Sequence, residues 1–236
     1  MRNSFGQLRI GARLTPVVTW LIVINLATFL LFTFSGQTVQ GALAHWLVLT
    51  PRSLLEGHVW KLVTTAFLSV DGFAFLLDML VLWMFVPVLE SSWGRRRFIT
   101  FAAVTVLVAN VVSALVGLAL GGLWAREAIS GITPFIYAAI VGYGVDFAEQ
   151  PVRFFGVVPM KGKTLAIGIA AVVSLAIVMN GTWVQGAGYA AAMVTAFFWT
   201  SGRISPRLWL LRWRRARLKR RYTVLDGGAS SKKWLN

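Results

Sequence analysis

Six apolar runs, each low in charge, divide the chain: residues 17–34, 72–89, 98–120, 134–147, 165–179 and 184–200. A helix needs about 20 apolar residues to cross the hydrocarbon core of a bilayer. The first three runs meet that length and the last three are shorter. Helices shielded by other helices can be short, so the pattern predicts a compact bundle of six transmembrane helices with one central member. The first run is too long for the core of a cleavable signal and shows no small-residue cleavage site, so it is expected to stay as a span.

Charge orients this bundle. Lys and Arg favour the cytoplasmic side of a membrane. With six spans, the N-terminus, the second and fourth connections and the C-terminus share one side. All but Arg52, Lys61 and Arg126 of the 23 basic residues fall there, which predicts cytoplasmic termini. The organisation expected is a basic N-terminal segment (1–13), a membrane domain (14–202) and a basic tail (203–236). Short loops and the compact core point to a bacterial cytoplasmic (inner) membrane.

Composition agrees with the pattern. The chain is 57% hydrophobic and 13% charged, against about half and a quarter in soluble domains. It has no cysteine, which excludes disulfides, thiolate catalysis and cysteine-ligated metals. No cofactor or metal is expected.

Two connections are long. Residues 35–71 hold His45, Trp46, His58, Trp60 and an apolar run, a mixture that fits an interfacial or partly buried segment. The tail "RLWLLRWRRARLKRRY" interleaves Trp209, Trp213 and leucines with Arg and Lys. Such a segment can lie on anionic lipid, at about 1 kcal/mol per basic residue, or serve only as a positive flank that stops translocation. No motif supports contact with nucleic acid.

The stretch "HVWKLVTTAFLSVDGFAFLLDMLVLWMFVPVLESSWGRRRF" resembles the signature region of rhomboid intramembrane proteases. That family has a Trp-Arg pair in its first outer loop, then a stretch like "LLTxxFLHxxxxHLxxNMLxLWxFG", then "xxEKxxGxxRF". Trp60-Lys61 stands at the Trp-Arg pair, Met79, Leu80, Leu82 and Trp83 match the second helix, and Glu90, Gly94 and Arg97-Phe98 match its far end. The resemblance covers roughly residues 51–199. It implies an all-α, rhomboid-like bundle of six transmembrane helices.

It also implies where catalysis would sit. In active rhomboids a serine in Gly-x-Ser-Gly at the top of the fourth helix is the nucleophile. A histidine on the sixth helix is its base, and a His-x-x-x-Asn pair on the second supports the oxyanion. A serine hydroxyl needs a base to take its proton, and the oxyanion needs donors already aimed at it. In "EAISGITPFIYAAIVGYG" the serine position holds Thr133, followed by Pro134. Gln185 stands for the histidine, Ala74 and Asp78 for the His-x-x-x-Asn pair. No catalytic position keeps its residue. Ser130 is a fallback nucleophile, about three residues before the helix. The two histidines, His45 and His58, both lie in the first outer loop.

Read locally, Thr133-Pro134 is a helix start, with Thr as cap and Pro in the first turn. Gly142 and Gly144 on the fourth helix, and Gly188 and Ala192 on the sixth, would let those two helices approach each other. Asp78 is an ionisable residue inside a span, a functional candidate by default. It is expected to face Thr133, Tyr137 and Gln185 as a polar cluster.

These observations favour a rhomboid-like pseudoprotease that binds transmembrane segments of client proteins without cleaving them. The alternatives are an intramembrane serine protease using Ser130, and a membrane adaptor acting through its basic tail.

Overall fold

The computed structural model describes residues 14–154 and 158–202; the basic N-terminal segment and the basic tail lie outside the described residues. The fold is nearly all helical.

Helix α1 (Pro16–Phe34) opens on proline, whose missing N–H would have no partner there anyway. Three short helices follow, α2 (Gln37–Leu47), α3 (Pro51–Leu55) and α4 (Lys61–Thr64), and then a 3₁₀ turn, Thr65–Phe67. This connection is tied down rather than free. Asn110 donates to the Leu62 carbonyl at 2.8 Å and Thr65 to the Ile129 carbonyl at 2.5 Å. Leu49 and Ile129 exchange backbone hydrogen bonds of 3.1 and 2.7 Å. Thr65, Ala66 and Leu68 are buried, while Trp46 and Trp60 stay exposed. The partly buried character read from the sequence matches this arrangement.

Asp71 caps α5 (Gly72–Met84), accepting from the backbone N–H groups of Phe73 and Ala74 at 2.9 and 3.1 Å. The run 72–89 is not one helix as expected. It breaks at Phe85 and resumes as α6 (Val86–Trp93). Pro87 explains the break, since its ring has no N–H to donate and crowds the carbonyl four residues back. Gly94, at φ +79°, then turns the chain into α7 (Arg95–Leu120). A positive φ is what Gly supplies without strain.

The last three helices among the described residues are α8 (Thr133–Asp146), α9 (Gly162–Asn180) and α10 (Trp183–Thr200). Between α8 and α9 an antiparallel ribbon pairs β1 (Pro151–Phe154) with β2 (Val158–Lys161), an element the hydropathy pattern does not show. Among the described residues, four helical stretches are long and apolar enough to cross a membrane: α1, α5 with α6, α7 and α9. With 14 residues, α8 is about 21 Å long, short of a hydrocarbon core of about 30 Å. It is also buried on nearly every side, as expected of a helix apolar all round. It is the central helix, enclosed by its neighbours.

Helices α8 and α10 pack closely on each other, as expected, with Gly142 facing α10, but Gly144 and Gly188 act at other interfaces. A Cβ on Gly144 would lie 2.3 Å from the Ala166 Cβ and 2.8 Å from the Gly162 carbonyl oxygen, both on α9. On Gly188 it would lie 2.1 Å from the Ser113 hydroxyl and 2.9 Å from the Ala109 carbonyl oxygen, both on α7. Gly142 faces Trp93 of α6 at 3.2 Å and Thr200 of α10 at 3.7 Å. Ala192 is fully buried. The small-residue composition signals close approach correctly, and what it does not show is that Gly144 and Gly188 serve α9 and α7.

Candidate functional site

Thr133 is the first residue of α8, not its cap. Ile132 holds the cap position and gives no side-chain capping bond, while Pro134 falls in the first turn. The Thr133 hydroxyl donates instead to Asp78 Oδ2 at 2.7 Å. Asp78 sits midway along α5 and is buried, as an acid in a membrane helix must be when it has an internal partner. Gly131 prepares the approach, because its φ of +96° swings the chain from the Ile129 strand contact into α8. The Gly131 N–H donates to the Thr65 carbonyl at 3.0 Å.

Gln185, near the start of α10, faces a different partner. Its Nε2 donates to the Ala128 carbonyl at 3.0 Å, and its Oε1 accepts from the Tyr189 hydroxyl at 3.2 Å. The Tyr189 ring meets the Tyr137 ring edge to face, with centroids 5.2 Å apart. The expected cluster therefore exists as two units, the Thr133–Asp78 pair and a Gln185–Tyr189–Tyr137 chain. No hydrogen bond joins Gln185 to Asp78 among the described residues. Tyr189 was not singled out from the sequence, although its i+4 spacing from Gln185 is a helical contact distance. Ser69 was also missed; its hydroxyl is buried without a partner and lies 3.5 Å from where a Gly131 Cβ would stand.

Ser130 lies half-buried in the loop between Ile129 and Gly131. No side chain accepts its proton among the described residues. The histidines are elsewhere, in an aromatic group on the connection between α1 and α5. His58 packs against Trp60 with centroids 4.9 Å apart, and His45 against His58 at 6.3 Å. Trp60 stacks at a tilt on Trp46, and Lys61 is buried and forms no ion pair among the described residues. Ala74 presents only a methyl group one turn before Asp78. Partial burial raises the Glu127 carboxyl above its ordinary value.

Glu90 has a role the motif did not reveal. Its buried carboxylate accepts from the Thr15 hydroxyl and from the backbone N–H groups of Val17 and Val18, at 3.3 and 3.1 Å. It thus caps α1 from α6, where an anion both satisfies free N–H groups and meets the positive end of the helix dipole. Nearby, the Trp93 indole donates to Asp146 at the far end of α8. Arg97 lies over the Trp93 ring, 5.4 Å from its centroid.

A buried polar pair inside a bundle of long apolar helices defines a polytopic helical membrane protein. Residues 18–201 match a family described as eukaryotic integral membrane protein (DUF1751). That match takes in most of the chain, and the chain belongs to this family. A search among curated proteins finds no match. The family's description as eukaryotic overturns the expectation of a bacterial inner membrane. The error has a physical root. Basic-residue asymmetry and short loops report orientation in a bilayer, and a bacterial and a eukaryotic bilayer give the same signal.

Proposed function

We propose that this protein is a rhomboid-like pseudoprotease that holds transmembrane segments of client proteins without cutting them. The observation that carries this reading is the commitment of Thr133 to Asp78. Asp78 stands where an active rhomboid has an oxyanion donor, and a buried carboxylate there, already accepting from Thr133, repels a developing oxyanion instead of stabilising it. Gln185 cannot take a proton near neutral pH, and it is bonded to Ala128 and Tyr189. In this reading α8 and α10 complete a six-span bundle with cytoplasmic termini.

The client path lies between α5 and α9. Helix α5 packs on α1, α6 and α8 with no substantial contact to α9. Both leave large apolar side chains outward, among them Phe73 and Leu76 on α5 and Ile167 and Val172 on α9. In a bilayer these faces meet lipid or another helix at little cost.

Purified full-length protein, reconstituted with a helix-destabilised transmembrane reporter, tests the reading. Photocrosslinkers at Leu76 and Ile167 should capture intact reporter. Cleavage that disappears in Ser130→Ala would establish the protease alternative instead. Partner loss on removing residues 207–236, with crosslinking at the helices absent, would establish the tail as the working part.

A further inference from the structure

A second groove lies away from the polar pair, between α1 and α7. These two helices do not pack substantially on each other. The gap is about 190 Å³ and its lining is wholly apolar. Val17 and Leu21 form one wall, Ile99 and Ala103 the other. Its floor is Ile132 and Phe135, both nearly fully buried at the start of central helix α8. Ile99 and Ala103 are exposed, so the groove opens outward. The short α4 and the 3₁₀ turn close its other end.

Such a space does not hold water, because nothing in it can hydrogen-bond. In a bilayer the available filler is hydrocarbon. One end of the groove is also charged. Arg95 and Arg96 lie one turn before Ile99 on α7, and residues three and four apart share a helix face. Both are exposed and neither forms an ion pair among the described residues. The nearest buried acid on α6, Glu90, is already engaged by α1. Exposed guanidinium groups must sit at a membrane surface, at headgroup depth. Cation and apolar slot are thus arranged as the head and tail of one lipid.

We propose that this groove binds one acyl chain of an anionic glycerophospholipid, with its net negative headgroup held by Arg95 and Arg96. The chain fills the wall between α1 and α7 and supports α8 from the side. This site is separate from the α5–α9 face and does not depend on client binding.

The test uses full-length protein in phosphatidylcholine nanodiscs. These carry a minor fraction of phosphatidylserine or phosphatidylcholine bearing a photoreactive acyl chain. Adducts are mapped by peptide mass spectrometry. Phosphatidylserine should label residues 17–21 and 99–106 several-fold more than phosphatidylcholine does. Arg95→Gln with Arg96→Gln should bring the two lipids level. Ala103→Trp fills the slot from an exposed position, so the fold is kept, and should reduce labelling by both lipids. Equal labelling by both lipids in the wild type would overturn the proposal. So would adducts spread evenly over all outward faces, or labelling unchanged in Ala103→Trp. Displacement of the lipid adducts by a transmembrane reporter helix crosslinked at Ala103 would show a helix site and overturn it too.

Discussion

Thr133 and Asp78 lie 55 residues apart in sequence and meet across a 2.7 Å hydrogen bond that ties the first turn of α8 to the middle of α5. Removing the donor leaves a buried carboxylate unpaired, at a cost of about 1–3 kcal/mol. Thr133→Val should therefore lower the unfolding midpoint in detergent. Asp78→Asn should soften that loss, because a neutral amide is cheaper to leave unpaired. The double variant should be less destabilised than the two single effects added together. Strict additivity would mean that the two side chains act independently.

Glu90 should be as demanding. It supplies the N-terminal acceptors of α1 from another helix. Capping residues contribute about 0.5–2 kcal/mol, with a further gain from charge at the helix end. Glu90→Gln should keep part of this and Glu90→Ala should lose it. Hydrogen exchange at Val17 and Val18 reads the effect locally. Exchange unchanged in Glu90→Ala would remove Glu90 from this role.

Packing glycines separate by their surroundings. At Gly144 and Gly188 a methyl group would strike backbone or side chain below 3.0 Å. Overpacking of this kind costs about 1–3 kcal/mol. Gly168, on α9, has nothing within 4 Å of an added Cβ. Gly168→Ala should be neutral or stabilising by about 0.5–1 kcal/mol, while Gly144→Ala and Gly188→Ala should destabilise. Thermal melts of the three variants side by side check the contrast.

The ribbon end of α9 has an ion-pair pH dependence. Glu149 accepts from Lys163 at 2.6 Å and Lys161 at 2.9 Å, and these lysines hold its carboxyl at about 2, below the ordinary 4.5. A carboxylate lowered in the folded state stabilises it above pH 4.5, and that contribution fades as pH falls towards 2. The group is fully exposed, so salt should weaken the effect. Glu149→Gln should lower the protection factors of the Gly162 and Lys163 amides at neutral pH, and acidification should bring the wild type's protection factors down to the variant's. A wild type and variant that exchange alike at neutral pH and low salt would show the pairs to be idle.

Much of the fold is legible in the sequence because long apolar runs leave few alternatives in a membrane. All six runs are helical, and the central burial of α8 follows from its shortness and uniform apolarity. Pro87 was present to announce the break at Phe85, but a hydropathy window passes over it. The ribbon at 151–161 is too short and proline-marked to carry a strand period. Local cap chemistry put Thr133 at the cap, and a tertiary partner on α5 took its hydroxyl instead. The same limit applies to Glu90, whose motif position is visible while its target, α1, lies more than 70 residues away. Glycines at 144 and 188 announce contact, and only the fold says that α9 and α7 supply it. Gln185 and Tyr189 could have been paired by helical spacing alone.

The central claim is that this bundle holds a transmembrane helix and leaves it whole. The most direct measurement is a reconstituted reporter assay that reads binding and cleavage in the same sample. A transmembrane reporter is incubated with wild-type protein carrying photocrosslinkers on α5 and α9, and the products are resolved by mass. The account predicts a crosslinked, full-length reporter and no fragment, in the wild type and in Thr133→Ser alike. A reporter fragment produced by the wild type and lost in Ser130→Ala or Thr133→Val would contradict it.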